Sequence, residues 1–387
     1  MADSVDLSRS CALQRAQTML SGDVMKTQSD QNLDPSGARV SIARPGGREV
    51  LTLSGFTPAS PGPGEVMIRV SAIGVNFADI AVRLGLYESA KRLVGWPITP
   101  GFDIAGVIEE VGPPGEGGDS RGEHTTRWKR GDEVFGVTFF GAYSTHVTLP
   151  ADQIFTRPSG WSWARAAAFP TVHLTAWYAL YQLGAPHRGQ RVLIHSAAGG
   201  VGLALTQLCV ATGLEVVGVV RGAHKVDVVR SAGAHHVIDK GAEPIWTGVD
   251  REAQDGFDLI FDANGYETLR GGYRRLRPEG RLVCYGAATM LKRGGGRRPW
   301  LRLAWRYLTR PQFDPLAMTS DNRSVMAFNL SFLFHRKVLL REAFHQLLSL
   351  DAPLMEQPCT LFALSEVAQA HQLLESGTSV GKIILTP

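Results

Sequence analysis

The feature that most constrains the fold of this chain is the glycine-rich turn Ala197–Gly202, which reads Ala-Ala-Gly-Gly-Val-Gly. The apolar run Arg191–His195 precedes it, and the helical run Val201–Thr212 begins within it. Positions 197, 199 and 202 have the spacing of GxGxxG, with Ala in place of the first glycine. In this context the spacing predicts a dinucleotide site at a helix N-terminus, with a plain tight turn as the alternative. The residues expected to form it are Ala198, Gly199, Gly200, Val201 and Gly202.

Further apolar runs continue the strand–helix rhythm beyond this turn. They lie at Leu214–Val220, Ala234–Asp239, Phe257–Asp262 and Arg281–Gly286, with helical segments between them. Alternation at this spacing predicts parallel βαβ units in a doubly wound sheet. Residues 38–158 instead read as short strands interrupted by Gly and Pro, which predicts a largely β domain.

The end of the second predicted strand indicates which nucleotide fits. Folds that bind NAD place an Asp or Glu there, roughly 20 residues beyond the glycines, to bind the ribose 2′-hydroxyl. This chain instead has Arg221 and Lys225 in a stretch without a carboxylate. A hydrogen bond to a charged group contributes about 1.5–3 kcal/mol, so two cations favour a 2′-phosphate. We therefore predict that NADPH is bound by Arg221 and Lys225, with Lys240 after the third strand as a further contact. The alternative is that these basic residues lie on a solvated loop.

Composition limits the metal and redox options. The 387 residues include four cysteines, and no two of them form a CxxC pair. Neither a zinc ribbon nor a redox dithiol is therefore predicted, and a reducing cytoplasm suits the chain best. The net charge of +4 is too small for this length to indicate nucleic acid. Residues 1–37 are polar and lack a long apolar run, so we expect a disordered leader.

Seven motifs follow one another along residues 38–387. They are Gly74–Asp79, Gly85–Tyr87, Pro100–Gly106, Gly131–Val134, Leu174–Trp177, the Ala197–Gly202 turn and Val380–Leu385. Together they resemble the zinc-free quinone oxidoreductase (zeta-crystallin-like) family of the medium-chain dehydrogenase/reductase superfamily. Tyr285–Ala288, a long basic insertion and Phe328–Leu330 resemble, in particular, the branch of the synaptic vesicle membrane protein homologue.

The resemblance implies an α/β fold with a GroES-like, largely β catalytic domain and a doubly wound parallel Rossmann domain that binds NADPH. The expected boundaries are a leader at 1–37, the catalytic domain at 38–158 and 337–387, and the Rossmann domain at 159–336 with a basic insertion at 291–320. The resemblance also implies homodimers. Four further cofactor contacts are expected, at Asn264, Gly286, Asn329 and Lys382.

The expected chemistry is hydride transfer without a metal. Zinc alcohol dehydrogenases resemble this fold but need a Cys near Asn76 and a His at Phe102, and neither is present. Quinones and α,β-unsaturated carbonyls accept a hydride without zinc, which leaves positioning and electrostatics to the protein. The predicted catalytic residues are Asn76 and Tyr87 as hydrogen-bond donors, and Thr175 from its family position near the nicotinamide. Alternatively, Asn76 caps the helix that follows it and Tyr87 is a packed aromatic.

Two other polar residues of these motifs have structural alternatives. His173 is a candidate proton donor, although a lone His in an apolar helix is more often structural, and water can supply the proton. Asp79 is a candidate for a buried salt bridge. No single obligatory acid is implied by the resemblance.

A basic, aromatic stretch lies between Lys292 and Arg310. It holds seven Lys or Arg residues, interleaved with Trp300, Trp305 and Tyr307, and no Asp or Glu. Such a stretch can lie on an anionic membrane surface as an amphipathic helix. A solvated face near the cofactor and a dimer contact are the alternatives.

The leading hypothesis is an NADPH-dependent reductase of quinones or α,β-unsaturated carbonyls, located in the cytoplasm with peripheral membrane contact as an option. One alternative is a nucleotide-binding, membrane-associated interaction protein with little turnover. Another is an enoyl-thioester reductase. Neither a metal nor a nucleic-acid partner is expected.

Overall fold

The computed structural model of the protein describes residues 36–115, 127–289, 304–305, 307–350 and 356–387. The predicted leader lies outside these residues apart from its last two positions. Residues 291–303 and 306 of the basic insertion also lie outside them.

The chain divides into two compact units, each assembled from more than one segment. The first unit comprises the chain up to Trp163 together with Leu361–Gln372 and Leu385–Pro387. The second unit comprises Ala164–Thr360 and Leu373–Ile384. The domain boundaries at 158/159 and 336/337 stay predictions.

A seven-stranded sheet dominates the first unit, as the predicted GroES-like class requires. Its order is β14-β15-β3-β4-β5-β7, with β6 paired to β3, while β1 and β2 form a separate antiparallel pair. The strands are β1 (Gly37–Ile42), β2 (Leu51–Phe56), β3 (Glu65–Val75), β4 (Asp103–Val111), β5 (Glu133–Val137), β6 (His146–Pro150), β7 (Ile154–Thr156), β14 (Cys359–Ala363) and β15 (Lys382–Thr386). The helices α1 (Phe77–Arg83) and α2 (Glu88–Leu93) follow β3, and short 3₁₀ turns lie at Arg48–Val50 and Ala151–Gln153.

Strand β3 illustrates why this sequence forms a sheet. Val66, Ile68 and Val70 point to one face and are buried, as the alternating pattern predicts. The strand pairs antiparallel with both β4 and β6. Gly106 of β4 packs so closely that an added Cβ would fall 2.2 Å from the carbonyl oxygen of Arg69. A glycine is therefore required where these two strands meet.

A six-stranded parallel sheet forms the second unit and confirms the predicted doubly wound class. Its order is β10-β9-β8-β11-β12-β13, and every pairing is parallel. Because the chain winds outward in both directions from its middle, the topological switch point lies between β8 and β11. The strands are β8 (Arg191–His195), β9 (Glu215–Val220), β10 (His236–Asp239), β11 (Phe257–Asp262), β12 (Leu276–Cys284) and β13 (Ser324–Ala327).

Helices connect these strands. They are α3 (Trp163–Ala168), α4 (Pro170–Trp177), α5 (Gly200–Ala211), α6 (Val226–Ser231), α7 (Ile245–Glu252), α8 (Leu269–Tyr273), α9 (Pro315–Asp321) and α10 (Lys337–Leu348), with α11 (Val367–Ser376) before β15. A π-helical turn at Tyr178–Gly184 continues α4, and 3₁₀ turns lie at Ala223–Lys225, Leu330–Leu333 and Leu364–Glu366. Across the described residues, no helix combines the length and the hydropathy needed to cross a membrane.

Most predicted elements are confirmed, and the differences have simple causes. Strands β8 and β11 match their predicted bounds, whereas β12 begins at Leu276, five residues before the predicted Arg281. The residues Arg-Pro-Glu-Gly that follow Leu276 are typical of a turn, so the sequence does not reveal this part of the strand. Strand β13 was not predicted, because Ser-Val-Met-Ala has neither an apolar run nor a clear alternation.

Candidate active site

The predicted cofactor residues of the second unit follow the carboxyl ends of its parallel strands. The sheet brings these ends to one edge, which is where α/β folds of this class bind ligands. The Ala198–Gly202 turn follows β8, Arg221 and Lys225 follow β9, Lys240 follows β10, Asn264 follows β11, Gly286 follows β12 and Asn329 follows β13. The tertiary structure therefore gathers residues that are spread over more than 130 positions of sequence.

The glycine-rich turn has the geometry that its sequence predicts. Gly199 is the N-cap of α5, and Gly200 is the first residue of that helix. An added Cβ at Gly202 would lie 2.4 Å from the carbonyl oxygen of Ser196, so α5 can pack this closely only with glycine there. At Gly199 the nearest atom to an added Cβ is 3.4 Å away, which leaves open space beside the helix N-terminus. The main-chain N–H groups of this terminus carry roughly half a positive charge.

A C-terminal segment pairs with the same turn. Gly381 N–H donates to the carbonyl oxygen of Ala198 at 2.8 Å, and Gly381 and Gly199 form a parallel bridge. The neighbouring Lys382 is buried, and its Cδ lies 3.7 Å from the Cβ position of Gly200. Lys382 therefore lies beside the turn, as its predicted cofactor contact requires.

Sequence reasoning did not identify Gln357, which is buried next to this turn. Its Nε2 donates to the carbonyl oxygen of Gly200 at 3.0 Å. The residue precedes β14 and is 157 positions away from its partner. No local pattern marks such a residue, because its role depends only on how the chain returns to the sheet.

The loop after β9 is held by a carboxylate that the sequence analysis also missed. Asp239, the last residue of β10, accepts hydrogen bonds from Gly222 N–H at 2.7 Å and Gly241 N–H at 2.8 Å through Oδ1. The bond from Gly222 is the largest cause that lowers the pKa of the Asp239 carboxyl. Gly222 has φ +106°, a region that favours glycine. Arg221 is exposed on this loop, and its positive charge also helps to lower the pKa of the Asp239 carboxyl.

Lys225 follows β9, and its side chain binds main-chain oxygens of a C-terminal segment. Its Nζ donates to the carbonyl oxygens of Gly377 at 2.7 Å and Ser379 at 2.8 Å. The side chain is buried, and this burial lowers the pKa of Lys225. The ammonium thus donates to two main-chain oxygens, and its predicted role as a phosphate ligand stays a prediction.

Asn264 and Gly286 lie at neighbouring strand ends. Asn264 Oδ1 accepts from the Ser196 hydroxyl at 2.9 Å, and its main-chain N–H donates to Asp262 Oδ1 at 2.7 Å. Its buried Nδ2 has no acceptor among the described residues, so it can donate to a bound cofactor. An added Cβ at Gly286 would fall 2.6 Å from the carbonyl oxygen of Ala263, so close packing explains this glycine.

Asn329 has a local structural role. It is the N-cap of the 3₁₀ turn at Leu330–Leu333, and its Oδ1 accepts from the main-chain N–H of Ser331 at 3.0 Å and from the Ser331 hydroxyl at 2.8 Å. Its predicted cofactor contact stays a prediction.

In the first unit, Asn76 lies between a helix and a buried carboxylate. It is the N-cap of α1, the structural alternative that the sequence left open. Its Nδ2 donates to Asp103 Oδ2 at 2.9 Å and, more weakly, to the carbonyl oxygen of Gly74 at 3.3 Å. A carboxylate only accepts hydrogen bonds, so the amide nitrogen must face Asp103. The amide carries two N–H donors, so donation to a substrate, as predicted, would replace its weaker bond to the carbonyl oxygen of Gly74.

Asp79 is the centre of a buried hydrogen-bond network beside Asn76. Its Oδ2 accepts from Asn76 N–H at 2.8 Å and from the Tyr143 hydroxyl at 3.0 Å, and its Oδ1 accepts from Gly101 N–H at 3.1 Å. Since the Tyr143 hydroxyl hydrogen points to Asp79, its oxygen accepts from His371 Nε2–H at 3.1 Å. Burial, followed by the negative charge of Asp79, raises the pKa of Tyr143 well above its usual value.

Tyr87 and Thr175, the other predicted catalytic residues, lie in different units. Tyr87 is the N-cap of α2 and packs edge-on against Phe102 and Phe140, with ring centroids 6.1 and 6.4 Å away. Thr175 is buried in α4, where its hydroxyl donates to the carbonyl oxygen of Thr171 at 2.7 Å. Both contacts are those of structural residues, and the catalytic roles stay predictions.

His173 of α4 is a neutral histidine with a defined tautomer. Its Nδ1–H donates to the carbonyl oxygen of Phe169 at 2.8 Å, and its ring stacks on Phe169 at 3.9 Å. Burial lowers the pKa of His173 to about 4. At neutral pH the ring holds no extra proton, which supports the structural role over proton donation.

Comparison with known proteins follows the same division of the chain. Residues 62–159 match the model of the alcohol dehydrogenase GroES-like domain, and residues 200–308 match that of the zinc-binding dehydrogenase. A quinone oxidoreductase of Pseudomonas aeruginosa is 32% identical over 352 residues, which cover 90% of this chain and 99% of that protein. The chain belongs to the medium-chain dehydrogenase/reductase superfamily.

Two further similar proteins lie within the branches that the sequence motifs resemble. The synaptic vesicle membrane protein VAT-1 homolog of Danio rerio is 34% identical over 325 residues. The match covers 84% of this chain, and the chain spans 64% of that protein's length. The crystal structure of the Escherichia coli quinone oxidoreductase complexed with NADPH has a TM-score of 0.74 at 26% identity, covering 90% of this chain and all of that one. These relatives confirm the predicted resemblance. Among the described residues, no three His, Cys, Asp or Glu side chains cluster as a metal site.

The two buried histidines predict how stability depends on pH. Burial, followed by the positive charge of Arg83, lowers the pKa of His371 to about 3. The unfolded chain protonates both histidines below about pH 6.5, whereas the folded protein does so only near pH 4 for His173 and pH 3 for His371. Unfolding therefore becomes easier as pH falls through this window, by about 1.4 kcal/mol per pH unit for each histidine.

We expect His173→Asn and His371→Gln, which preserve the respective donors, to flatten this pH dependence. The measurement is the unfolding midpoint of each variant between pH 5 and 6.5, where carboxylates stay largely ionised. Slopes equal to that of the unmodified protein would contradict the neutral, buried state of these rings.

Substitutions of two glycines distinguish the role of the turn in helix packing from its role in ligand binding. Gly202→Ala is expected to lower the free energy of unfolding by about 1–3 kcal/mol, because its Cβ collides with main-chain atoms. Gly199→Ala is expected to leave the unfolding midpoint nearly unchanged. It is expected to weaken NADPH binding by about tenfold or more, equivalent to about 1.4 kcal/mol, because its Cβ occupies the open space at the helix N-terminus. Thermal unfolding and fluorescence titration test both variants. Unchanged NADPH affinity in Gly199→Ala would place the dinucleotide elsewhere.

Proposed function

We propose that this protein reduces quinones or α,β-unsaturated carbonyls with NADPH by hydride transfer that needs no metal. The observation that carries the proposal is the glycine turn at the carboxyl edge of a parallel sheet, in a chain 32% identical to a quinone oxidoreductase over nearly all of that protein. Homodimer formation and a cytoplasmic location accompany the proposal as predictions from the sequence.

The residues at this edge fit a phosphorylated dinucleotide. The helix N-terminus at Gly199 suits a pyrophosphate, and the buried Nδ2 of Asn264 offers a donor to the bound ligand. Exposed Arg221 stands where NAD-binding folds have a carboxylate, which supports the preference for NADPH. The structural relative from Escherichia coli was crystallised with this cofactor.

NADPH, when bound, supplies the hydride that adds to the conjugated carbon of the acceptor. The chain's own residues then hold the reactants and stabilise the oxygen that gains negative charge. His173 is neutral and engaged with Phe169, so it does not hold the proton that this oxygen needs at neutral pH. Water is the proton source that these contacts favour.

A panel of acceptors tests the proposal. Steady-state oxidation of NADPH and NADH is measured with ortho-quinones, para-quinones, short enones and a crotonyl thioester. We expect turnover of quinones or enones with a preference for NADPH. Turnover of the thioester alone would select the alternative enoyl-thioester reductase, and tight NADPH binding without turnover of any acceptor would contradict an enzymatic role.

A second candidate function, association with anionic membranes, rests on an exposed apolar surface. Trp305, Tyr307 and Leu308 are 66%, 57% and 72% exposed, although residues of this kind are normally covered. The Tyr266 hydroxyl binds Thr309 Oγ1 at 2.8 Å and so anchors this segment to the second unit. Seven cations between Lys292 and Arg310, with no acid, would complement anionic headgroups.

Vesicle binding tests this second candidate. The protein is expected to sediment with phosphatidylserine-containing vesicles and less with neutral ones. The double substitution Trp305→Ser and Leu308→Ser is expected to weaken binding by about a hundredfold or more, because each lost apolar side chain removes roughly 1.5–3 kcal/mol of burial. Leu361→Ser is the matched control, since Leu361 is 59% exposed outside this segment. Equal binding to neutral vesicles, or an equal loss in the control, would contradict the membrane surface.

A further inference from the structure

We propose that Tyr143 and His371 are positioning residues for the candidate active site, because they fix the Asp79 carboxylate that holds the main-chain N–H of Asn76. The inference rests on the proposed function, in which Asn76 contacts a bound ligand. It goes beyond that function by assigning a task to two buried side chains that the predicted chemistry does not use.

The Asp79 carboxylate is shared by three segments of the first unit. Its Oδ2 accepts from the main-chain N–H of Asn76 at 2.8 Å and from the Tyr143 hydroxyl at 3.0 Å, and its Oδ1 accepts from the main-chain N–H of Gly101 at 3.1 Å. The Asp79 side chain is fully buried, so these donors replace the water that would otherwise stabilise its charge. The position of the carboxylate therefore depends on the donors that converge on it.

Asn76 and Asp79 by themselves form a capping box. Asp79 is the third residue of α1, and a carboxylate at that position commonly accepts from the main-chain N–H of the N-cap residue. Such a box is a local motif that needs no other side chain. Here the box is buried, and Tyr143 adds a donor from 64 positions further along the chain. The tertiary structure thus adds a support that the local motif lacks.

Two hydrogen bonds orient the Tyr143 hydroxyl. Its hydrogen points to Asp79, because an ionised carboxylate only accepts, and its oxygen accepts from His371 Nε2–H at 3.1 Å. His371 belongs to α11 and lies 228 positions away from Tyr143 in sequence. The bonds therefore run in one direction, from His371 through Tyr143 to Asp79.

Close packing fixes the Tyr143 ring as well as its hydroxyl. The ring is fully buried, and an added Cβ at Gly101 would lie 2.4 Å from Tyr143 Cδ1. The His371 ring packs edge-on against it, with centroids 5.9 Å apart and planes at 80°. Gly101 thus contacts the Tyr143 ring and also donates to Asp79, so the segment before β4 is held at the same point.

Both donors keep their hydrogens at neutral pH. Burial, followed by the positive charge of Arg83, lowers the pKa of His371 to about 3, so its ring is neutral and carries a single N–H. Burial, followed by the negative charge of Asp79, raises the pKa of the Tyr143 hydroxyl well above its usual value. One arrangement of hydrogens is therefore maintained throughout the network.

Asn76 is held through both its main chain and its side chain. Its main-chain N–H binds Asp79, and its Nδ2 donates to Asp103 Oδ2 at 2.9 Å. Because main-chain torsions determine where the amide points, a shift of Asp79 would displace this amide. A small displacement of a group that positions a ligand can reduce the reaction rate strongly. We therefore expect the loss of the Tyr143 hydroxyl to affect the reaction through Asn76.

Four substitutions and one altered background test this inference. Tyr143→Phe removes the hydroxyl and keeps the ring, His371→Leu removes the N–H donor, and His371→Gln keeps a donor. Tyr181→Phe is the matched control, because it also removes a Tyr hydroxyl bond, to Thr212 Oγ1 at 3.0 Å, but lies in the second unit. Tyr143→Phe is also combined with Asn76→Ser, which retains a good N-cap residue.

The measurements are kcat/KM for reduction of a quinone or enone with NADPH, and hydrogen exchange of the Asn76 main-chain N–H by NMR. For Tyr143→Phe and His371→Leu we expect kcat/KM to fall by about tenfold and this exchange to become about tenfold faster. His371→Gln is expected to recover part of both losses. Tyr181→Phe is expected to change neither quantity by more than about twofold. In the Asn76→Ser background, Tyr143→Phe is expected to lower kcat/KM by less than about twofold, because the residue through which it acts is already altered.

Two results would overturn the inference. Unchanged hydrogen exchange at Asn76 in Tyr143→Phe would mean that the capping box alone holds this residue. An equal loss of kcat/KM in Tyr181→Phe, or in Tyr143→Phe on the Asn76→Ser background, would indicate general destabilisation. If the unmodified protein reduces none of the acceptors, the proposed function fails, and the exchange rates at Asn76 then test the positioning by themselves.

Discussion

The structure of the second unit depends on one close approach between main-chain atoms. Helix α5 begins directly after β8, and Gly202 brings it within a distance at which any Cβ would collide with Ser196 and Ala197. This packing leaves the N-terminus of α5 at the carboxyl edge of the sheet, near the switch point between β8 and β11. The positive end of the helix and the adjacent strand ends then coincide, which is the arrangement that binds a phosphorylated ligand.

The turn is held in place by residues from distant parts of the chain. Gly381 pairs with Ala198 and Gly199, and Gln357 binds the Gly200 carbonyl. Lys225 binds the carbonyl oxygens of Gly377 and Ser379, in the segment that leads to Gly381. Each of these contacts binds a main-chain N–H or carbonyl group. The nucleotide turn is thus supported by hydrogen bonds that close long loops, so its geometry depends on the integrity of the C-terminal residues.

The first unit places its candidate catalytic residue inside a buried polar network. Asn76 binds Asp103 through its amide and Asp79 through its main-chain N–H, while Asp79 also accepts from Tyr143. A carboxylate in this position is tolerated because several donors converge on it. The network makes Asn76 rigid, which suits a residue that orients a ligand better than one that moves to donate a proton.

The sequence by itself determined the parallel sheet, the Rossmann turn and the family, because apolar periodicity and glycine spacing involve neighbouring residues. It also placed most strand ends correctly, and hence the edge where Arg221, Lys240 and Asn264 meet. It could not identify β13, Gln357 or Asp239, whose roles come from partners brought together by folding. Only the tertiary structure decided that the Asn76 amide binds Asp103 and that the Lys225 ammonium binds Gly377 and Ser379, because those acceptors lie 27 and 152 or more residues away and no local pattern encodes them.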